Sequence, residues 1–259
     1  MAAREIVVLS GVRTAIGDYG SALKDVPPSE LAAQVIREAV KRAGVDPKQV
    51  GAMVLGNVIH TEAKDMYISR VAALKAGLPQ ESTALTVNRL CGSGLQAIVS
   101  AAQMITLGDA DIAVGGGAES MSRSGYLMPS LRWGQRMGDG GYVDMMVGAL
   151  TDPFETVHMG ITAENIATQW KITREAQDAF AVESHRRAVH AIAQGYFKDQ
   201  ILPVELKTRR ALPCLTPTNI RAPMRASKAW PSCAPPSRKT VRSPQATPRV
   251  STMVPPPSS

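Results

Sequence analysis

The sequence has few cysteines and no long hydrophobic run, and each scarcity excludes a class of protein. Its 259 residues include three cysteines without regular spacing, which argues against a disulfide framework or a zinc site. No apolar run approaches membrane-spanning length, and the N-terminus lacks the charged and then apolar pattern of a secretion signal. We therefore expect a soluble, cytoplasmic protein without a metal or membrane partner, in which Cys91 is a free thiol.

Acidic residues are absent from the last fifty positions, and this absence decides how the net charge is interpreted. Residues 210–259 hold 8 of the 29 Lys and Arg residues, 11 of the 18 prolines and none of the 22 Asp and Glu residues. The remainder carries 21 basic against 22 acidic side chains, so the net charge of +7 belongs to the tail. This distribution argues against nucleic-acid binding. The change in composition predicts a boundary near residue 209 and a disordered, Pro-rich basic tail at 210–259.

Strand and helix patterns alternate over the first 120 residues. Apolar runs predict strands at 5–10, 50–58, 84–88 and 112–114, and helices lie between them at 27–43, 69–76 and 91–107, each closed by a glycine. Residues 120–157 form a long loop or small subdomain, and helices follow at 160–170 and 173–194, the second with one apolar and one solvated face. This alternation predicts an α/β fold with a largely parallel sheet, whose ligand sites lie at the carboxyl ends of the strands.

Cys91 lies where a strand pattern meets a helix pattern, in the run VNRLCGSG at 87–94. Glycines here let a ligand approach the backbone, and the start of the helix offers unpaired N–H groups and the positive end of the helix dipole. These features stabilise a thiolate, so the position suits a nucleophile. A lone cysteine is more often buried and inert, and spacing alone leaves both interpretations open.

The histidines are weaker candidates on sequence alone. His60 has no metal-like partner, so we interpret it as structural. His185 and His190 fall on the solvated face of a predicted helix. A lone histidine before Met-Gly, such as His158, is more often a hydrogen-bonded structural residue than a catalyst.

Four runs, in this order and spacing, resemble the biosynthetic-type thiolases (beta-ketothiolases): GVRT at 11–14, VNRLCGSGLQAI at 87–98, GGGAESMS at 115–122 and HMGITAEN at 158–165. The resemblance covers residues 1–209. It implies the N-terminal half of the layered αβαβα thiolase fold, in which two similar α/β halves pack together. It divides the chain into an α/β core at 1–120, a loop and helical subdomain over the active site at 121–209, and the tail.

The resemblance also implies a chemistry. Thiolases are acetyl-CoA C-acyltransferases of fatty acid and polyhydroxyalkanoate metabolism that condense two acyl-CoA molecules, or thiolyse 3-ketoacyl-CoA, through an acylated cysteine, here Cys91. By the same resemblance His158 and Met159, and more weakly Leu150, line the pocket for the pantetheine arm and acyl group, and none is the general base. CoA thioesters are the substrates, no cofactor is bound, and intact members are dimers or tetramers.

Two catalytic bases expected from the resemblance are missing. Acylation and the Claisen step each need a base, and the family supplies them from a Gly-His-Pro histidine and a Cys-x-Gly cysteine in the second half of the fold. Neither motif occurs in this chain. Codons for residues 215–225 and 247–259, read one base out of register, permit thiolase-like segments. We therefore hypothesise a frameshift near Arg209 that leaves an inactive fragment; a genuine basic binding tail is the alternative.

Overall fold

A computed structural model describes residues 5–206 and the backbone of residues 214–215. Its helices and strands are, in chain order, β1 Arg13–Thr14, α1 Pro28–Ala43, β2 Ala52–Gly56, α2 Ile68–Ala76, β3 Thr83–Val87, α3 Ser93–Leu107, β4 Ala113–Gly117, β5 Tyr126–Leu127, β6 Val143–Asp144, α4 Met145–Ala149, α5 Met159–Gln169, α6 Arg174–Ala193, β7 Ile201–Leu202, β8 Val204–Glu205 and β9 Cys214–Leu215. The predicted disordered tail lies outside the described residues, apart from β9, which pairs with β8.

The central sheet has three parallel strands in the order β3-β2-β4. In its register Gly56 is opposite both Val87 and Gly117, so the carboxyl ends of all three strands lie together at one edge. Strand β2 is buried along its whole length, whereas β3 and β4 are more exposed. This arrangement confirms the predicted α/β fold with a parallel sheet.

Helices cover both faces of the sheet because successive side chains of β2 point to opposite faces. Met53 and Leu55 pack among buried residues of α1 and α2. Val54 points the other way and packs against Ala97 and Ala101 of α3. The result is three layers, with α1 and α2 on one face of the sheet and α3 on the other.

Glycines in the strands allow α3 to lie directly on the sheet. A Cβ added at Gly56 would lie 2.6 Å from the carbonyl carbon of Ser93, and one at Gly115 would lie 2.8 Å from the Cα of Ile98. The fourth predicted strand, at 112–114, continues through the three glycines that follow it, which are the last three residues of β4. Glycine is needed at 115 because a side chain there would collide with the backbone of α3.

Two segments expected to bury an apolar face are exposed. Residues 5–10 form no strand, and Val8 is 86% exposed, because this segment hydrogen-bonds to neither edge of the sheet. Phe180, expected on the buried face of α6, is 78% exposed because no described residue covers it. Helix α3 likewise exposes apolar side chains, among them Leu95 and Ile98. The described part of the chain therefore carries uncovered apolar faces.

One described stretch is long and apolar enough to cross a membrane by length and composition alone, Leu90–Leu107, whose 18 residues have a mean hydropathy of 1.4. The expectation that no apolar run approaches this length was therefore too strong. In the fold, α3 lies within this stretch and buries Ala97 and Ala101 against the sheet. Helix α3 therefore packs on one face of the sheet.

Helix α6 carries an acid-sensitive ion-pair cluster. Glu183 accepts hydrogen bonds from Arg186 Nε at 2.7 Å and from Arg187 Nε at 2.7 Å. These bonds, that from Arg186 first, lower the pKa of Glu183 from 4.5 to about 2. A depressed pKa in the folded state stabilises the fold above the unfolded pKa, and this contribution is lost as the pH falls.

We expect Glu183→Gln to remove this contribution. Thermal melts should show a small loss of stability relative to the unaltered chain at neutral pH, because exposed ion pairs stabilise weakly. The difference should shrink as the pH falls from 4.5 to about 2. A difference between the two chains that stays constant down to pH 2 would contradict this assignment.

Candidate active site

Cys91 lies on a tight turn between β3 and α3. Leu90, the residue before it, adopts the left-handed conformation with a φ of 46°, which is unfavourable for a leucine. The Leu90 N–H donates to the Asn88 side-chain oxygen at 3.0 Å, which supports the turn. The turn holds the Cys91 thiol at the surface, where it is free and exposed.

Ser93 fixes the chain on both sides of this turn. Its hydroxyl accepts from the Arg89 N–H at 2.8 Å and donates to the Leu90 carbonyl at 2.6 Å. The Ser93 side chain is buried against the end of β2, where Gly56 leaves room for it. The position of the cysteine is therefore linked to the central strand through Ser93.

The start of α3 can stabilise negative charge beside Cys91. The residue that caps the helix, Gly92, has no side chain to accept from the N–H groups of the first turn. The N–H groups of Gly92 and Ser93 already donate to the carbonyls of Arg89 and Leu90. The helix start therefore offers its dipole and the next N–H groups, those of Gly94 and Leu95, to a thiolate or to an oxyanion formed on a bound thioester. The nucleophilic role predicted for Cys91 from the VNRLCGSG run stays a prediction.

A cleft of about 510 Å³ lies at the carboxyl edge of the sheet. Asn88, at the start of the Cys91 turn, is one of the residues that line this cleft. The other lining residues come from the segment after β2 (Val58, Ile59, His60), from Gly125 and β5 (Tyr126, Leu127) and from α4 (Met145, Gly148, Ala149). The sequence context of His60 predicts a structural role and no site role. In the structure the His60 side chain is exposed and lines this cleft.

Glu119 joins the ends of β4 and β2 at this cleft. Its Oε2 accepts from the Val58 N–H at 2.8 Å, and its Oε1 accepts from the Ile59 N–H at 3.3 Å. Burial of the carboxylate raises the pKa of Glu119, and these backbone hydrogen bonds and that of Ser120 only partly oppose the shift. The sequence pattern predicts no site role for Glu119. The feature that could have identified it is a carboxylate just after a strand, in the run GGGAESMS.

The three predicted pocket residues lie together. The Met159 N–H donates to the Leu150 carbonyl at 2.8 Å, and His158 pairs with Thr151 in an antiparallel bridge. His158 Nδ1 accepts from the Gly160 N–H at 3.0 Å and so caps α5. Because Nδ1 accepts, the neutral ring carries its proton on Nε2.

These residues reach the Cys91 turn only indirectly. Leu150 directly follows α4, whose residues line the cleft that Asn88 also lines. No hydrogen bond between described residues joins Cys91 to Leu150, His158 or Met159. The predicted roles of all four therefore remain predictions. Within the described ranges no group of three or more His, Cys, Asp or Glu side chains could hold a metal ion.

The fold and the site define an α/β protein with an exposed cysteine at the start of a helix, on the carboxyl edge of a parallel sheet. Comparison with known proteins is more specific. The family described as thiolase, N-terminal domain, matches residues 6–228, so the chain belongs to the thiolase family. The match extends beyond residue 209, where the resemblance seen in the sequence ended.

Curated relatives and solved structures agree with this family. The chain is 64% identical over 207 residues to the beta-ketothiolase BktB of Cupriavidus necator, and the match covers 80% of this chain and 52% of that protein. It is 45% identical over 210 residues to an acetyl-CoA acetyltransferase of Syntrophomonas wolfei, covering 80% and 53%. The chain thus spans about half the length of the curated relatives it matches.

Among solved structures, the acetyl-CoA acetyltransferase of Bacillus anthracis superposes with a TM-score of 0.77 at 46% identity, covering 80% of this chain and 52% of that one. Human mitochondrial 3-ketoacyl-CoA thiolase in complex with CoA gives 0.75 at 38% identity, covering 77% and 51%. These structures support the predicted thiolase-like layered fold.

Proposed function

We propose that this chain is the nucleophile half of an acetyl-CoA C-acyltransferase. The observation that carries the proposal is the exposed Cys91 thiol at the start of α3 and beside the cleft. The Cys91 thiolate attacks the carbonyl carbon of an acyl-CoA thioester, the bond from that carbon to the CoA sulfur breaks, and CoA leaves as a thiolate. The N–H groups at the start of α3 stabilise the oxyanion formed on the way.

The proposal also assigns the substrate pocket. Leu150, His158 and Met159 contact the pantetheine arm and acyl group of CoA thioesters. This assignment is supported by the position of Leu150 directly after α4, which lines the cleft, and by the hydrogen bond from the Met159 N–H to the Leu150 carbonyl. The complex of the human mitochondrial thiolase with CoA supports CoA thioesters as the ligand. No bound cofactor is needed, and the setting is a cytoplasmic homo-oligomer.

A second candidate is a thiolase fragment without turnover. Two observations favour it: the Gly-His-Pro and Cys-x-Gly motifs are absent from the sequence, and α3 and α6 expose apolar faces. Such faces make a chain prone to aggregate unless a partner covers them. The two candidates share Cys91 and differ in whether the acyl group leaves the cysteine for a second substrate.

Acylation of Cys91 tests the proposed function directly. We expect acetyl-CoA to transfer one acetyl group to a Cys214→Ala/Cys233→Ala chain, in which Cys91 is the only thiol. Mass spectrometry of the intact chain and of its peptides measures this. Adding Cys91→Ala should abolish the transfer; an unchanged yield, or no transfer to a folded chain that iodoacetamide alkylates at Cys91, would overturn the proposal.

A further inference from the structure

The carboxylate of Glu119 holds one wall of the cleft, the segment that follows β2. It stands two residues after the end of β4, and its carboxylate reaches the segment that follows β2, where it accepts from the N–H groups of Val58 and Ile59. Asn57, only 1% exposed, donates from its side chain to the Ala118 carbonyl at 2.9 Å and to Glu119 Oε1 at 3.3 Å. One carboxylate therefore collects the N–H donors of three consecutive residues after β2, Asn57, Val58 and Ile59.

The segment it holds has no regular structure of its own. Residues 57–60 form neither helix nor strand, so their N–H groups need acceptors from outside the segment. Ile59 is buried, and with Val58 and His60 it lines the cleft. Without the carboxylate, two backbone N–H groups of this wall lose their acceptor and the wall is free to move.

We propose that Glu119 is a positioning residue of the acyl-CoA site, whose carboxylate fixes the wall formed by Val58, Ile59 and His60 beside the Cys91 turn. The proposal rests on the proposed function for the ligand and on the hydrogen bonds of Glu119 for the mechanism. Glu119 acts through the backbone of this wall and takes no part in bond making or breaking.

The environment of the carboxylate is consistent with a specific contact. Burial raises the pKa of Glu119, and the nearby carboxylate of Asp65, itself fully buried, adds to the shift. Burial and Asp65 therefore disfavour the ionised carboxylate of Glu119, whereas the N–H groups that donate to it favour the ionised form. In Glu119→Gln the side-chain amide would keep one accepting oxygen, but its NH₂ group would face one of the N–H donors that now bind the carboxylate.

The test compares two reactions of Cys91 in the full-length chain. The rate of acetylation by acetyl-CoA requires the cleft wall, whereas the rate of alkylation by iodoacetamide requires only an accessible thiolate. We expect Glu119→Ala to lower the ratio of the first rate to the second at least about tenfold, since hydrogen bonds to charged groups are strong. Glu119→Gln should give an intermediate ratio. Hydrogen exchange at the amides of Val58 and Ile59 should speed up in the same order.

Asp46→Ala is the matched control. Asp46 also accepts a backbone N–H, that of Lys48 at 3.0 Å, but it lies before the amino end of β2, away from the cleft. This variant should leave the ratio unchanged. The proposal is overturned if Glu119→Ala leaves the ratio unchanged, or leaves amide exchange at Val58 and Ile59 unchanged. If the unaltered chain is alkylated but never acetylated, the proposed function and the substrate role of Glu119 both fail. Amide exchange at Val58 and Ile59 then still measures whether Glu119 holds the wall.

Discussion

Gly56→Ala should lower the free energy of unfolding by about 2–3 kcal/mol, the upper part of the range for an overpacked core. The added Cβ would lie 2.6 Å from the carbonyl carbon of Ser93, 2.7 Å from its Cβ and 2.8 Å from its oxygen. Two of these are backbone atoms at the start of α3, so they can move only if the helix moves. Urea denaturation measures the loss of stability.

The same displacement should reach the nucleophile. Ser93 hydrogen-bonds to Arg89 and Leu90, so a shifted helix start disturbs the turn that presents Cys91. The rate of alkylation of Cys91 by iodoacetamide should therefore change in Gly56→Ala. Gly116→Ala is the control on the neighbouring strand, because its Cβ would meet no atom within 4 Å from any described residue other than its two chain neighbours. The stability of this variant should stay within about 0.5 kcal/mol of the unaltered chain. Equal losses in the two variants would contradict the proposed contact.

The sequence predicts the parts of this fold that depend on neighbouring residues. The three glycines expected to close helices, Gly44, Gly77 and Gly108, all adopt positive φ angles of 68°, 92° and 88° directly after α1, α2 and α3. A positive φ is a local requirement that glycine meets best, so it can be recognised in the sequence. The same is true of the strand, turn and helix around Cys91.

The parts that sequence does not predict depend on distant residues. Glu119 contacts Val58 across 61 positions, and no local pattern states which backbone N–H groups a carboxylate will reach. The need for glycine at 56 and 115 is likewise not visible in the local sequence, because the helix that these glycines accommodate comes from another part of the chain. The strand expected at 5–10 has the right composition, but a strand also needs a neighbour with which to form hydrogen bonds.

Exposed apolar faces and missing bases are separate observations that lead to the same expectation. The exposed apolar side chains of α3 predict a covering surface, and the absent Gly-His-Pro and Cys-x-Gly motifs predict catalytic groups supplied by another segment. In the thiolase fold that the sequence resembles, a second α/β half provides both. A protein that restores this half can therefore test both expectations at once.

Residues 1–209 joined to the second half of the beta-ketothiolase BktB of Cupriavidus necator should catalyse thiolysis of acetoacetyl-CoA, whereas the unaltered chain should not. Each general base contributes roughly 10²–10⁴-fold, so we expect the rates to differ by at least about 10⁴-fold. This relative suits the joined protein because it is 64% identical to the chain over 207 residues. Loss of acetoacetyl-CoA absorbance in the presence of CoA measures the rate.

Cys91→Ala in the joined protein is the decisive control, because it removes the nucleophile and leaves both bases in place. It should abolish turnover. Thiolysis by the unaltered chain at a rate comparable to that of the joined protein, abolished by Cys91→Ala, would show that other groups in this chain replace the bases. The fragment interpretation would then be wrong, and the proposed acyltransferase activity would belong to this chain alone.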